Sequence, residues 1–377
     1  MSEKKKKFDV SNHIGLISSL IAILSGLLIA LIVLMVSKPS AGFNAFLTLI
    51  TGGNFVEANV RNLGNVLYYA TPILCTGVAM CLAFQAGVFN IGGPGQYITG
   101  GFAAIMVAVN LGPKLPSPLS FLLPILAGMI VGALWAAIPG ILKAYFNVNV
   151  IVSTTMFNYI CMYYIVYLVR TLCYDQLKGQ TKPVPAISKM PKGFLSSITN
   201  NSSADIGIFF AIVAAIIVWF ILEKTKLGYE LKACGKNAEA SRYAGIKSKK
   251  TIVISMLLSG ALCGLGGALA HLSQAGVYIK VSESIAAEGF TGIAVCCLAG
   301  NNPIGAIFGA LFMAFVTVGG QYMQLYGFQK EIVSVITSVI VYFAAFSPFL
   351  GAFIQRKLAQ RSVRKINAEA KSGEVTK

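Results

Sequence analysis

Phe89-Asn90-Ile91-Gly92-Gly93-Pro94-Gly95-Gln96 packs three glycines and a proline into one octapeptide, and no charged residue occurs between Arg61 and Lys114. Glycine adds backbone freedom and proline removes an N–H, so the octapeptide cannot continue a regular helix. The apolar runs around it place the interruption at membrane depth. Irregular backbone is tolerated there only where it is buried in protein or lines a cavity. A second interruption follows about 200 residues later, at Glu288-Gly289-Phe290-Thr291-Gly292, and Gly300-Asn301-Asn302-Pro303 comes soon after. Broken segments at corresponding places in two halves are the mark of a transporter built of inverted repeats.

The rest of the chain agrees. Of its 377 residues, 56% are apolar and 11% charged, with a mean hydropathy of +0.74. Soluble domains carry roughly 25% charged residues. A membrane span needs ~20 apolar residues, so the apolar content supplies about ten. The expected fold is an all-α polytopic membrane protein of about ten transmembrane helices with broken segments. Spans are expected near 14–36, 65–86, 97–112, 118–142, 144–169, 206–222, 251–273, 285–300, 304–323 and 331–354. The first is too long for the apolar core of a signal peptide and has no cleavage pattern, so it reads as retained.

The net charge of +17 does not point to nucleic acid. Nineteen of the 30 Lys and Arg residues lie in Lys4–Lys7, in 223–250 and from Arg356 onward, flanking apolar segments. That is the positive-inside pattern of cytoplasmic loops and termini on a lipid bilayer. Ten crossings then put 20 basic residues inside and 10 outside. The expected organisation is a basic cytoplasmic N-terminus (1–13), a transmembrane domain (14–354) and a basic cytoplasmic tail (355–377). Within the domain, 170–205 is the extracytoplasmic loop and 223–250 a cytoplasmic one.

Other chemistries find no support. Eight cysteines form neither a C-x-x-C pair nor a Cys/His cluster, and most sit in apolar runs as small hydrophobes. Gly235-Lys236 is followed by Asn237, and position 230 is Glu, so no phosphate-cradling loop is present. His271 reads as a buried neutral imidazole. Glu288 stands nearly alone as an acid within the spans, against an ion-coupled carrier.

Neutral polar groups gather instead. Gln85, Asn90, Gln96, Asn147, Asn149, Ser153, Thr154, Thr155 and Asn158 surround the first interruption and the fifth span, with Phe89, Phe157, Tyr159, Tyr163 and Tyr164 interleaved. Amides both donate and accept, which suits a neutral polar solute. Phe89, Asn90, Gln96, Ser153, Asn158 and Glu288 are the candidate pathway residues. In 223–250, Asn237 to Ala244 reads as a short helix with Asn237 as N-cap and Gly245 as its stop. Its alanines at 238, 240 and 244 make it slim enough to enter a groove on a soluble partner.

Phe89-Asn-Ile-Gly…Gly95-Gln96 and Leu227-Gly-Tyr-Glu-Leu…Gly235-x-Asn237…Tyr243-Ala-Gly-Ile246 resemble the permease subunits of bacterial ABC importers of the ribose/branched-chain amino-acid superfamily, above all its nucleoside (simple-sugar-annotated) branch. Ala70-Thr-Pro-Ile-Leu…Gly77, Trp135-Ala-Ala-Ile-Pro-Gly, Asn158-Tyr159 and Gly289-Phe-Thr-Gly-Ile-Ala-Val extend the likeness over about 60–345. The chain departs from that branch at Pro94 and Val150, where a carboxylate is often found. The resemblance implies a dimeric, multi-pass permease of the bacterial plasma membrane with its partner permease identical or paralogous. A separate cytoplasmic ATPase would hydrolyse ATP, and an extracytoplasmic substrate-binding lipoprotein would deliver the solute. The chain would be no enzyme and would hold no cofactor. Nucleosides would cross by alternating access, and Gly228, Gly235, Asn237, Ala240 and Gly245 would belong to the loop contacting the ATPase. Ribose-like sugars, or a stand-alone secondary carrier or facilitator, are the alternatives at this point.

Overall fold

The computed structural model describes residues 14–53, 60–276, 278–281, 284–357 and 360. The basic segment 1–13 and nearly all of the basic tail lie outside these residues.

A long apolar helix, α1 (Ile14–Ser37), opens the chain. Pro39, which has no N–H to donate, starts α2 (Pro39–Ile50) after a single intervening residue. A Cβ on Gly42 would stand 2.8 Å from the Leu34 carbonyl oxygen, so this elbow needs glycine. The sequence reading gave 39–50 no helix, because its buried face (Gly42, Ala45, Thr48, Leu49) is too short a pattern to recognise alone.

α3 (Val60–Gln85) is the central post. Every residue from Ala70 to Ala83 is buried, as expected of a helix surrounded by protein on all sides. Around it lie α4 (Gly93–Asn110), α5 (Leu119–Phe146) and α11 (Ser248–Leu272). These three cross where glycines let backbones touch: Gly132 lies 2.8 Å, measured from an ideal Cβ, from the Gly264 Cα, and Gly100 and Gly128 meet the same turn. Gly128, Gly132, Gly260 and Gly264, each pair spaced one helical turn apart, thus meet at one crossing point.

α6 (Val150–Leu172) is N-capped by Asn149, whose Oδ1 accepts from the Ile151 N–H at 2.9 Å. It leads into a hairpin of β1 (Tyr174–Asp175) and β2 (Gln180–Thr181), then a short helix, α7 (Leu195–Ile198). α8 (Gly207–Lys224) returns across the bundle and, after Thr225 alone, turns into α9 (Lys226–Lys236) and α10 (Ala238–Tyr243). After α11 come α12 (Ala287–Leu298), α13 (Pro303–Tyr322) and α14 (Lys330–Ala345).

Among the described residues, eight helices are long and apolar enough to cross a membrane. α4 and α12 are the two expected spans outside that set. α12 has 12 residues, about 18 Å at 1.5 Å per residue, against a hydrocarbon core of about 30 Å. α4 is diluted by four glycines and Gln96. Exposed Leu, Ile, Val and Phe side chains cover the outer helices. A membrane-integral bundle requires that apolar belt.

Both interruptions differ in extent from the sequence reading. Gly93 to Gln96 already form the first turn of α4, with Pro94 in the N-terminal position where its missing N–H costs nothing, so the extended link is only 86–92. Glu288 to Gly292 are helical, and the described residues before α12 that form no helix are 273–276, 278–281 and 284–286. Their glycines serve close approach: Gly289 lies against Pro94 and Gly292 against Thr76.

Candidate functional site

α4 and α12 begin at the same place. An ideal Cβ on Gly289 would strike the Pro94 ring, so the two helix N-termini abut near the middle of α3, where the Thr76 hydroxyl donates to the Glu288 carbonyl at 3.1 Å. One terminus arrives through 86–92 and the other through 273–286, from opposite ends of the bundle. Half-helices meeting N-terminus to N-terminus in this way direct positive dipole ends into a common space.

The link 86–92 is closed by amides. Asn90 is fully buried, and its Nδ2 donates to Gln96 Oε1 at 3.0 Å and to Ser259 Oγ at 3.0 Å. Its Oδ1 accepts from the Gly92 N–H at 2.9 Å and from Gln96 Nε2 at 3.2 Å. Asn158 Oδ1 accepts from the Gly95 N–H at 2.9 Å, and its Nδ2 donates to the Ile91 carbonyl at 3.0 Å. The Gly92 and Gly95 N–H groups and the Ile91 carbonyl are therefore satisfied by Asn90 and Asn158, with Gln96 holding Asn90 in place, as low-dielectric burial demands.

Beside this lock lies a cavity of about 200 Å³, bounded by α4, the α6 face around Asn158, His271, residues 278–281 and 284–286, and Glu288. His271 Nδ1 lies 2.8 Å from the Gly267 carbonyl, and its ring is tilted against Tyr97 at 5.8 Å between centroids. Residues 279–281 are strapped down by the hairpin. The Thr181 N–H donates to the Ile279 carbonyl at 3.0 Å, and the Ile279 N–H donates to Thr181 Oγ1 at 3.0 Å. Gln180 and Lys280 pair as an antiparallel bridge. On its far side Glu288 also borders a second cavity, between α3, α12, α13 and α14.

The six candidate pathway residues thus separate. Asn158 and Glu288 border the cavity, and Asn90 and Gln96 frame it without lining it. Ser153 is buried and donates to the Val150 carbonyl at 3.1 Å. Phe89 stacks on Phe84 at 4.6 Å and faces Lys143, Asn147 and Asn149 at the end of the bundle. Tyr97, Tyr278 and Lys280 were not singled out in the sequence, since only the fold brings them to the cavity.

At the end carrying Lys143, α9 and α10 form a small projecting lobe. A Cβ on Gly228 would collide with the end of α8 at Ile221 and Leu222. One on Gly235 would collide with the Gln85 carbonyl and the Gly87 backbone, joining α9 to the end of α3. Asn237 caps α10 as expected, Oδ1 accepting from the Ala240 N–H at 3.0 Å, and Gly245 ends it with φ +83°. Of α10 only Ser241 is buried, and Tyr243 is 92% exposed. No group of three or more His, Cys, Asp or Glu placed to hold a metal occurs among the described residues.

The chain is 33% identical over 362 residues to the nucleoside ABC transporter permease protein NupB of Lactococcus lactis subsp. cremoris, covering 94% of this chain and 96% of that protein. It is 34% identical over 349 residues to the guanosine ABC transporter permease protein NupP of Bacillus subtilis, covering 92% and 97%. With the glucose ABC transporter permease protein TsgB13 of Haloferax volcanii the identity is 29% over 318 residues, covering 80% and 81%. No solved structure matches the chain. Residues 62–345, which contain both abutting half-helices, the amide lock and the projecting lobe, match the branched-chain amino acid transport system permease component, and the chain belongs to that family of ABC transporter permeases.

Proposed function

We propose that this chain is the membrane-spanning subunit of an ATP-driven importer of nucleosides. The observation that carries the proposal is the identity, along nearly the whole chain, with the nucleoside and guanosine permeases. The cavity at the meeting half-helices adds to it, being walled by Tyr97, Tyr278, His271 and Asn158 with a single acid, Glu288, and a single base, Lys280. Simple sugars are the second reading, favoured by the likeness to the glucose permease. Uptake of labelled uridine, guanosine, ribose and glucose by cells expressing the permease with its ATPase and binding protein decides between them. Nucleoside uptake is expected, and uptake of sugars alone would overturn the proposal.

Solute crosses by alternating access around Asn158 and Glu288, with Asn90, Gln96 and Ser153 holding the frame and Phe89 at the inner mouth. α4 and α12 complete ten crossings as half-helices that depend on each other. An inverted repeat relates α1–α6 to α8–α14. Each half begins with a long helix that elbows, after Lys38 or Thr225 alone, into a short one, and the glycine at each elbow (Gly42, Gly228) lies against the end of the preceding helix. Each half then places a central helix before a half-helix. The lobe carrying α10 faces the cytoplasm, because 20 of 30 basic residues fall on that side. There Gly228, Gly235, Asn237, Ala240 and Gly245 shape a slim, exposed helix that enters a groove on the ATPase. The hairpin and 170–205 face outward, toward a substrate-binding lipoprotein, and a second permease, identical or paralogous, completes the transporter. Single-cysteine labelling in intact cells should reach position 189 and miss position 236. Labelling at 236 from outside would reverse the orientation.

A further inference from the structure

The cavity at the half-helices holds two acceptors with nothing to accept. In a neutral imidazole the Gly267 carbonyl, which can only accept, fixes His271 Nδ1 as the donor and leaves Nε2 as a lone pair. His271 and Glu288 both border the cavity, and neither Nε2 nor the Glu288 carboxylate makes a hydrogen bond among the described residues. Asn158, on the same wall, spends one acceptor position on the Gly95 N–H and one donor position on the Ile91 carbonyl. Tyr97, Tyr278 and Lys280 line the same cavity, but none is bonded to His271 or Glu288 among the described residues, so both acceptors stay open to donors from a solute.

The cavity's size narrows the choice. A cavity of ~150 Å³ accommodates benzene, so about 200 Å³ accommodates one substituted ring. The part of a nucleoside that is a single ring bearing two adjacent hydroxyl donors is the ribose. A carboxylate accepting from a ribose hydroxyl is also how dinucleotide sites read that sugar. Resting on the nucleoside reading above, we propose that His271 Nε2 and the Glu288 carboxylate form an acceptor pair that seats the 2′,3′-diol of a ribonucleoside. Ribonucleosides are thereby selected over deoxynucleosides within the membrane subunit itself.

The experiment compares uptake of uridine and 2′-deoxyuridine by the complete transporter, reconstituted with its ATPase and binding protein, in wild type, Glu288→Gln, Glu288→Asp and His271→Phe. The binding protein is the same in every sample, so its own preference cancels from the comparison. The ratio of uridine to 2′-deoxyuridine uptake is expected to fall about tenfold in Glu288→Gln, the loss of one hydrogen bond to a charged group. It should fall by a similar factor in His271→Phe and recover most of the wild-type value in Glu288→Asp. An unchanged ratio in both Glu288→Gln and His271→Phe overturns the acceptor pair, as does a shift in preference among bases at constant sugar. If wild type carries neither uridine nor guanosine but does carry glucose, the functional proposal itself fails, which is a distinct result.

Discussion

Between α3 and α4 the chain needs seven residues, 86–92, and knots them with its own amides. Between α11 and α12 fourteen residues intervene, and a hairpin about 100 residues away in sequence holds 279–281 among them. The first link is buried at its centre, with every Asn90 and Gln96 amide pairing made inside the bundle. The second keeps Ser284 exposed and Ile285 and Ala286 half-buried, and it runs along a cavity. A saturated, buried network has one arrangement, whereas a strap held by a few edge hydrogen bonds can exchange them with water at little cost. The two N-termini that meet at Pro94 and Gly289 are therefore unequal, and α4 is expected to act as the fixed jaw and α12 as the movable one.

Asn90→Ala should produce the largest effect. It strands the Gly92 N–H, the Gln96 amide and the Ser259 hydroxyl in the interior, at ~1–3 kcal/mol for each unpaired group. A loss of about 3–6 kcal/mol, seen as a steep fall in the melting temperature of the detergent-purified protein, is expected together with lost uptake. A wild-type melting curve would remove the distinction between the jaws. Next comes a disulfide across the bridged pair, Gln180→Cys with Lys280→Cys. Oxidation should stop uptake without lowering the melting temperature, and reductant should restore it. Full uptake by the oxidised protein would mean that the strap does not open.

Gly235→Ala tests the inner end of the fixed jaw. A Cβ there meets the Gln85 carbonyl and the Gly87 backbone, neither of which can yield, so α9 must shift away from α3. Uptake and co-purification of the ATPase should fall together, severalfold, and normal values of both would detach the lobe from coupling. Asp205→Asn, at the start of α8, should have the smallest effect. Burial pushes its carboxyl above the ordinary carboxylate range, only partly offset by the Ser273 hydroxyl, the Gly207 N–H and Lys192. Its folded pKa lies above the unfolded one, so wild type carries no penalty in acid and loses stability as the unfolded chain ionises first. The Asn variant should match wild type in mild acid and gain slightly at neutral pH, read as the difference in melting temperature between the two.

Much of this was legible before any coordinates. The helices, the amide-rich neighbourhood of the first interruption, the Asn237 cap and the Gly245 stop follow from residues close together in sequence. The bounds of the interruptions were not. Gly289 and Gly292 look like helix breakers in one dimension and are helical in three, because Pro94 and Thr76 lie where their side chains would be. The hairpin escaped notice too: two residues per strand leave no period to detect. His271 could be read as a buried neutral histidine, but not which nitrogen it turns to a cavity.

What the sequence determined by itself is whatever a local chain segment pays or gains in a bilayer: which stretches are apolar enough to cross, which ends carry lysine, where a helix is capped and stopped. Each of these depends on transfer free energies and hydrogen bonds within a few residues, so composition and spacing suffice. Only the tertiary structure decided that Asn90 reaches Ser259, that Pro94 meets Gly289, and that Thr181 holds Ile279 over the cavity. Those partners are about 100 to 200 residues apart. Nothing local distinguishes an amide that locks backbone from one that awaits a solute until the groups facing it are in place.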